Sequence, residues 1–495
     1  MAIRKVVGIE TEYGIVLRGT PDANPIAASS MLINAYVSAF HRRVGWDFDD
    51  EHPGTDARGW LPDDAFPPEV ETHLVNAVLT NGARYYVDHA HPEISTPECV
   101  DAREIVRFDR AAEVIVQRSM ERAAATLTPG AELVAYKNNS DGKGNSYGCH
   151  ENYLVDRAVP FGRLVAQITP HFVTRQIYCG SGKVGCELPG IGAGDVPFQI
   201  SQRADFFEEE VGLETTLKRP IVNTRDEPHA DQTKYRRLHV IVGDANLSEI
   251  STFLKVGTTA MVLSMIEDGV APDDLTLAKP VLAIKDVSWD VSLQKLLPLK
   301  DGRKLRALDM QWQLFEKAEK WAQERGMASV GEEVGAEVLQ RWERVLTALE
   351  VDPMSLSKQL DWVAKYRLVL GFQDRHGLTW GDARLRAIDL QYHDMRPERS
   401  LFARVGMETL ISDDDVESAT TEPPTTTRAY FRGRCLAKWP DDIVAANWDS
   451  MVFDIGRDPL RRVPMMEPLR GTADLVGSLI DECATAAELL DRLGS

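Results

Sequence analysis

The chain has 495 residues, with 56 Lys+Arg against 76 Asp+Glu, a formal net charge of −20, and 43% hydrophobic and 27% charged residues. That length allows a large buried core with an appendage, and the composition excludes a wholly disordered chain. So large an acid excess argues against non-specific binding to nucleic acid or an anionic membrane, because its field repels phosphates; a phosphate ligand would need a local cationic exception.

In chain order, Lys5 to Val16 reads as a strand, with Val7, Ile9 and Thr11 alternating against Gly8, Glu10 and Glu12. Ser29 to Arg43 reads as a helix. Val44 to Thr72 carries four prolines, nine acidic residues and one arginine in 29 positions, with Trp46 and Trp60 among them, and is read as a long acidic loop inserted in the domain. A strand from Arg84 to Ala90, a helix from Val100 to Thr126, and strands near Glu132 to Lys137, His150 to Asp156 and Leu238 to Val242 follow. Strands returning between helices without a βαβ rhythm predict an α+β fold around a mainly antiparallel sheet. Leu305 to Gln373 is amphipathic helix. An acidic, Thr/Pro-rich break at Ser412 to Thr427 marks a boundary between a catalytic domain, 1–425 with the insertion at 44–72, and a small C-terminal domain, 426–495.

No apolar run reaches the roughly 18 to 20 residues of a membrane helix, and the N-terminal segment meets Glu10 and Glu12 before a signal-peptide core can form. The expectation is a cytoplasmic protein. The closest cysteines, Cys179 and Cys186, fit neither a zinc knuckle nor a CxxC pair.

Glu10 and Glu12 lie two apart in a strand, so both project from one face, about 6.6 Å apart at 3.3 Å per residue. Their functional reading is a hard divalent cation, but Glu-x-Glu taken alone reads rather as a solvated strand face. In Arg84-Tyr-Tyr-Val-Asp88, period two puts Arg84, Tyr86 and Asp88 on one face; Pro92 then bends the chain, and Glu93 and Thr96 fall in the turn. Arg84 suits a phosphate, Asp88 a nucleophile or base, and Glu93 a metal cluster, against the reading of an Arg/Asp surface pair. The Gly/Asn-rich loop from Asn138 offers backbone amides to an anion. His150 and His239, taken singly, read as structural histidines. Gly180-Ser-Gly-Lys-Val184 lacks the spacing and the Ser/Thr of a P-loop.

Four separated motifs, Gly8-Ile-Glu-Thr-Glu-Tyr-Gly14, Asn81-Gly-Ala-Arg-Tyr-Tyr-Val-Asp88 with His91-Pro-Glu93, Gly144-Asn-Ser-Tyr-Gly-Cys-His-Glu-Asn-Tyr153, and Asn223-Thr-Arg-Asp-Glu-Pro-His-Ala-Asp231, together resemble the pupylation-enzyme family. That family comprises the Pup ligase and the Pup deamidase/depupylase and is related to glutamine synthetase and glutamate-cysteine ligase. The resemblance implies a glutamine-synthetase-like curved sheet cradle backed by helices, with ATP and Mg²⁺ as cofactors. It further implies Glu10, Tyr86 and Glu93 as metal ligands, Arg84, Thr96 and Trp448 as ATP contacts, and Asp88 as the catalytic aspartate; Arg428 would add a phosphate contact. Of these, Tyr86 is the weakest ligand chemically, being a neutral phenol. The acidic insertion and the short Asp88-His-Ala-His-Pro-Glu93 segment resemble the depupylase branch. The implied activity is deamidation of the C-terminal Gln of Pup and cleavage of the Pup–lysine isopeptide bond. The alternatives are ligation of Pup at the expense of ATP, or a non-catalytic ATP/Pup sensor. Implied partners are Pup and pupylated proteins, with a link to the proteasome system, and neither nucleic acid nor membrane.

Overall fold

The computed structural model describes residues 1–20, 23–49, 51–52, 54–59 and 74–494. Its centre is a six-stranded sheet, numbered here as β1 (Val7–Glu12), β2 (Asn76–Val78), β3 (Arg84–Asp88), β4 (His91–Ser95), β5 (Cys149–Asp156) and β6 (Tyr235–Val240), in the spatial order β6-β5-β1-β4-β3-β2. Every neighbouring pair is antiparallel. The α+β expectation is met.

Alternation in the sequence sorts the sheet into two faces. Val7, Ile9, Tyr153, Val155, Leu238 and Val240 are buried in one hydrophobic cluster with Ile105 and Val106 of helix α2 (Ala102–Ala124). Tyr85, Val87 and Ile94 belong to a second cluster with Leu32, Ile33 and Tyr36 of helix α1 (Pro25–Val37). The odd-numbered positions of β1 thus face helices, which leaves Gly8, Glu10 and Glu12 on the opposite face. Asp101 caps α2, accepting from the Arg103 and Glu104 N–H groups at 2.9 and 3.0 Å. Helix α1 starts four residues before its predicted position because Asn24 caps it and Pro25 occupies the first turn, where a missing N–H costs nothing.

Three other expectations are corrected by packing. First, Pro92 does not end the strand region: His91–Ser95 is itself a strand, joined to β3 by a tight hairpin with His89 at φ 51°, so Glu93 sits in the sheet rather than in a turn. Second, the acidic segment is not loop from its first residue. Gly45–Trp46 pairs in parallel with Ile443–Ala446 as part of a four-stranded sheet, and Val44 and Trp46 join the hydrophobic cluster formed mainly by residues 431–490. Residues 60–73 of that segment lie outside the described residues. Third, Asp413–Ala419 is a helix held against α2, with Arg118 paired to Glu417 and Arg107 Nε donating to the Asp415 carbonyl at 3.1 Å, so the break near 412–427 is no free linker. We propose the division at 425/426 because the third cluster, apart from Val44, Trp46, Val78 and the partly buried Phe48, is built from residues beyond it.

Among the described residues one helix, α4 (Glu249–Glu267; α3 being Phe161–Thr174), is long and apolar enough to cross a membrane by length and composition, and every residue from Glu249 to Ile266 is buried within the protein. It is the helix behind β5.

Candidate functional site

The strand register assembles the polar face of the sheet row by row. Glu10 stands opposite Ser95 on β4 and His150 on β5, and Ser95 opposite Arg84 on β3; in the next row Glu12 stands opposite Glu93, and Glu93 opposite Tyr86. Asp88 faces His91 at the hairpin end, and His239 on β6 faces Asn152 on β5. Side chains directly opposite in such ladders lie about 4.5–5.5 Å apart at Cβ. Antiparallel pairing therefore turns five separate pieces of sequence into one polar surface.

Two groups among the described residues bring ligand atoms within 4.8 Å of one another: Glu12 with Asp88 and Glu93, and Glu10 with His150 and His239. Of the three metal ligands implied by resemblance, Glu93 falls in the first group and Glu10 in the second. Tyr86 adjoins the first group: its hydroxyl donates to Glu93 Oε1 at 2.5 Å. Burial, then the neighbouring Glu93 charge, push the Tyr86 phenol well up, so it stays protonated and acts as a donor to the carboxylate. The resemblance named neither Glu12, which only its spacing from Glu10 offered as a cation ligand, nor His150 and His239, which read singly as structural histidines. The Glu-x-Glu spacing was the available signal for Glu12. For the histidines, only the pairing of β5 with β1 and β6 reveals their company.

The carboxylates differ in their surroundings. Glu93 is 2% exposed, and burial followed by the charges of Asp88, Glu12 and Glu10 push its carboxyl well above the usual range. Such a group either holds a proton or shares a cation with its neighbours. Glu12 is desolvated too, but the His91 hydrogen bond, the charges of His150 and His91, and the Gly148 N–H at 2.9 Å bring its carboxyl down to about 2. Glu10 is likewise opposed by burial but held low by the His150 hydrogen bond and the Arg237 charge, and accepts from Asn152 Nδ2 at 2.8 Å. Burial, then the Arg237 charge, push His239 far down, so it is a neutral imidazole with a lone pair. Asp88, at the open end, is 38% exposed and lies 3.0 Å from His89 Nδ1.

Arg84 stacks over both Trp46 and Tyr86, with Cζ 4.0 and 3.9 Å from the ring centroids, while its Nε donates to Asn76 Oδ1 at 3.1 Å. Beside this row runs a cleft lined by Gly8, Glu10, Thr96, His229, Arg237 and Trp448. Thr96 Oγ1 accepts from the Ile9 N–H at 3.0 Å, which fixes the side chain at the cleft floor. Trp448 closes one wall and packs edge-on against Trp46, 5.1 Å between centroids. Arg428 also lines the cleft, but its guanidinium is 3% exposed and engaged by Glu98 at 2.7 Å, the His229 carbonyl at 2.6 Å and the Met465 carbonyl at 2.7 Å. It is a structural tie, contrary to the phosphate contact expected from its position.

The loop after Asn138 likewise holds an anion of its own. Glu187 accepts from the Gly144 N–H at 2.7 Å and from Ser140, and Asp141 Oδ1 accepts from the Lys143 and Asn145 N–H groups at 2.8 and 3.1 Å. Lys183 pairs with the same Glu187 in a short strand, so the Gly180-to-Val184 stretch forms no phosphate loop.

A family model described as Pup-ligase protein matches residues 5–452. The chain belongs to that family. Among curated relatives, a protein named depupylase from Acidothermus cellulolyticus is 52% identical over 504 residues, covering 99% of each chain, and a Pup deamidase/depupylase from Mycolicibacterium smegmatis is 48% identical over 506 residues, covering 99% of this chain and all of the relative. Two solved structures of the Pup ligase PafA are similar as well. One is in complex with Pup (34% identity, 99% of this chain and 94% of that one, TM-score 0.81), and one in complex with ADP (37% identity, 82% and 89%, TM-score 0.73). In this chain Glu10, Tyr86, Asp88 and Glu93 all lie on the polar face of the sheet.

Proposed function

We propose that the protein is an ATP- and Mg²⁺-dependent amidohydrolase of the cytoplasm that deamidates the C-terminal Gln of Pup to Glu and cleaves the isopeptide bond between that Glu and a substrate lysine. The observation that carries the reading is the near-complete alignment at 48–52% identity with proteins named for depupylation, against 34–37% with the ligase structures. Both reactions replace nitrogen at one carbonyl carbon, so a single site serves both, with Pup and pupylated proteins as partners.

The donor sets fit the two cofactors. Glu12, Asp88 and Glu93 offer only oxygen, which a hard cation requires, and the raised carboxyl of Glu93 is what a bound cation would relieve. Glu10 with neutral His239 and His150 offers a second position. Bound there, Mg²⁺ with ATP supplies charge neutralisation at phosphate and at a developing oxyanion. Thr96 and Trp448 bound the nucleotide cleft, the indole offering a face to adenine, and Arg84, set by Trp46, Tyr86 and Asn76 and paired through Nη1 with Glu51 at 3.9 Å, would exchange that carboxylate for phosphate. Asp88 attacks the carbonyl carbon: its Oδ–C bond forms, the C–N bond breaks, and the amine leaves after taking up a proton. Water then cleaves the acyl-aspartate and returns the carboxylate. The open position of Asp88 at the hairpin end admits a bulky pupylated lysine.

The deciding assay mixes the full chain with Gln-ended Pup and ATP-Mg²⁺ and follows mass and ADP. Conversion of Gln to Glu is expected, without ADP in step with it. ADP released one for one with new conjugate would establish the ligase reaction instead, and binding of both ligands without turnover would establish a sensor.

Two further outcomes are expected. Glu93→Gln removes the most crowded carboxylate and should raise the Mg²⁺ concentration needed for half-maximal activity by roughly 10-fold or more, read from Mg²⁺ titrations; an unchanged midpoint would remove Glu93 from the ligand set. Gly8 faces the cleft, and a Cβ there would meet only Thr96 Oγ1, at 3.8 Å. Gly8→Val should therefore fold normally while its methyls intrude on the nucleotide, weakening ATP binding by roughly 10-fold. Calorimetric titration with ATP gives the number, and wild-type affinity would show that the nucleotide lies elsewhere.

A further inference from the structure

The cleft wall that carries Trp448 belongs to a part of the chain more than 350 residues away from the strand that carries Thr96. What fixes the distance between them is one carboxylate. Glu98 lies two residues beyond Thr96, where the chain leaves β4. Its Oε1 accepts from Arg428 Nε at 2.7 Å, and its Oε2 is paired with Arg432 Nη2. Both arginines lie at the start of helix α5 (Ala429–Lys438), Arg428 at its N-cap and Arg432 within its first turn.

Each arginine then holds a different wall. Arg432, wholly buried, places its guanidinium carbon 5.0 Å from the Trp448 ring centroid, donates to the Trp448 carbonyl at 3.2 Å, and donates to the Gly82 carbonyl at 2.9 Å in the turn before β3. Arg428 donates to the carbonyls of His229 and Met465. The Glu98 carbonyl also accepts from Thr427 Oγ1 at 2.7 Å. Trp448, His229 and Thr96, three walls of one cleft, are thus referred to a single side chain that does not itself reach the polar rows of the sheet. Glu98 is ionised at every working pH: against the opposing effect of burial, the charges of Arg432 and Arg428 bring its carboxyl down to about 2.

We propose that Glu98 is a positioning residue for the nucleotide: by clamping Arg428 and Arg432 it holds the Trp448 wall at the spacing the base requires, so that nucleotide affinity, and not the chemical step at Asp88, depends on its charge. This rests on the reading of the cleft as the nucleotide site. The neutral isostere Glu98→Gln retains shape but withdraws the charge from two buried guanidinium groups. With both guanidinium groups released, the Trp448 wall loses its fixed spacing, and a loss of roughly 10-fold or more in ATP affinity is expected.

The experiment compares wild type, Glu98→Gln and Glu98→Asp as full-length proteins, by calorimetric ATP titration and by deamidation of Gln-ended Pup. Glu98→Gln should raise the Kd and the KM for ATP about tenfold or more, with kcat at saturating ATP within about twofold of wild type, and should alter the tryptophan fluorescence response to ATP. Glu98→Asp, which keeps the charge but shortens its reach, should fall between. A folded Glu98→Gln with wild-type KM for ATP, or one whose kcat falls while KM stays unchanged, overturns the proposal. Should Glu98→Gln fail to fold, Glu98→Asp decides: a wild-type KM there overturns it too. Wild-type protein that binds no ATP would instead refute the nucleotide reading itself, and is told apart because all three proteins would then behave alike.

Discussion

Asp88→Asn is expected to reduce both deamidation of Gln-ended Pup and release of Pup from a lysine by roughly 10⁴-fold or more, as loss of a nucleophile does, with ATP still bound at saturating Mg²⁺. The physical basis is position. Asp88 lies in the same ligand group as Glu12 and Glu93 but is the member at the open end of the hairpin, 38% exposed, whereas Glu93 is 2% exposed and engaged by Tyr86. It alone of the three combines access to a macromolecular substrate with the electrostatic setting of the cluster. The assay is run at saturating Mg²⁺, so that a weakened cation site is not mistaken for lost chemistry. Activity within tenfold of wild type would remove Asp88 from its role. Hydroxylamine distinguishes the two roles an aspartate can play. If both substrates pass through one acyl-aspartate, the ratio of Pup hydroxamate to Glu-ended Pup is the same from the amide and from the isopeptide. Unequal ratios would make Asp88 a base for water.

The largest effect on stability is expected beneath the site. Glu151, on the helix-facing side of β5, is 1% exposed and receives Arg175 through Nη2 at 2.6 Å and Nη1 at 2.9 Å, together with the Tyr153 hydroxyl at 2.6 Å. Arg175 also donates to Thr259 Oγ1 of α4 at 2.6 Å, so the pair binds the sheet to the helix behind it. Removing one partner of a buried pair strands the other charge, and Arg175→Met should destabilise the fold by about 3–5 kcal/mol. Denaturant unfolding gives the measure. The double variant Arg175→Met/Glu151→Leu, which buries no charge, should recover most of the loss. A single variant within about 1 kcal/mol of wild type would show that water reaches Glu151.

Fold class and much of the site chemistry are legible in the chain itself. Period-two alternation at Val7 to Glu12 and at Arg84 to Asp88 announces which residues share a face, because the pleat allows only two directions. Glu10, Glu93, Arg84 and Asp88 follow from that alternation and from the motifs around them. Tyr86 illustrates its limit. Alternation places the phenol beside the carboxylates but does not say that it donates to Glu93 rather than facing a cation, which burial and a 2.5 Å contact decide.

Other features had no local signal. His150 and His239 are 89 positions apart, and they meet Glu10 only because β5 pairs with both β1 and β6, a register set by long-range ladder hydrogen bonds. Arg428 carries the right charge at the right point in the chain, yet its guanidinium is consumed by Glu98 and two carbonyls, a matter of which acceptors the fold brings within reach. The acidic segment looked like an insertion because composition reports solvation and not pairing; its first residues instead complete a sheet with Ile443–Ala446 and place Trp46 against both Arg84 and Trp448. Sequence by itself determined the alternating strands, the family and the types of group available for chemistry, since these depend on local periodicity and on motifs. Only the tertiary structure decided which carboxylates share a ligand group, which cations are already neutralised, and which side chain sets the width of the cleft, because each of those depends on distances between segments that are far apart along the chain.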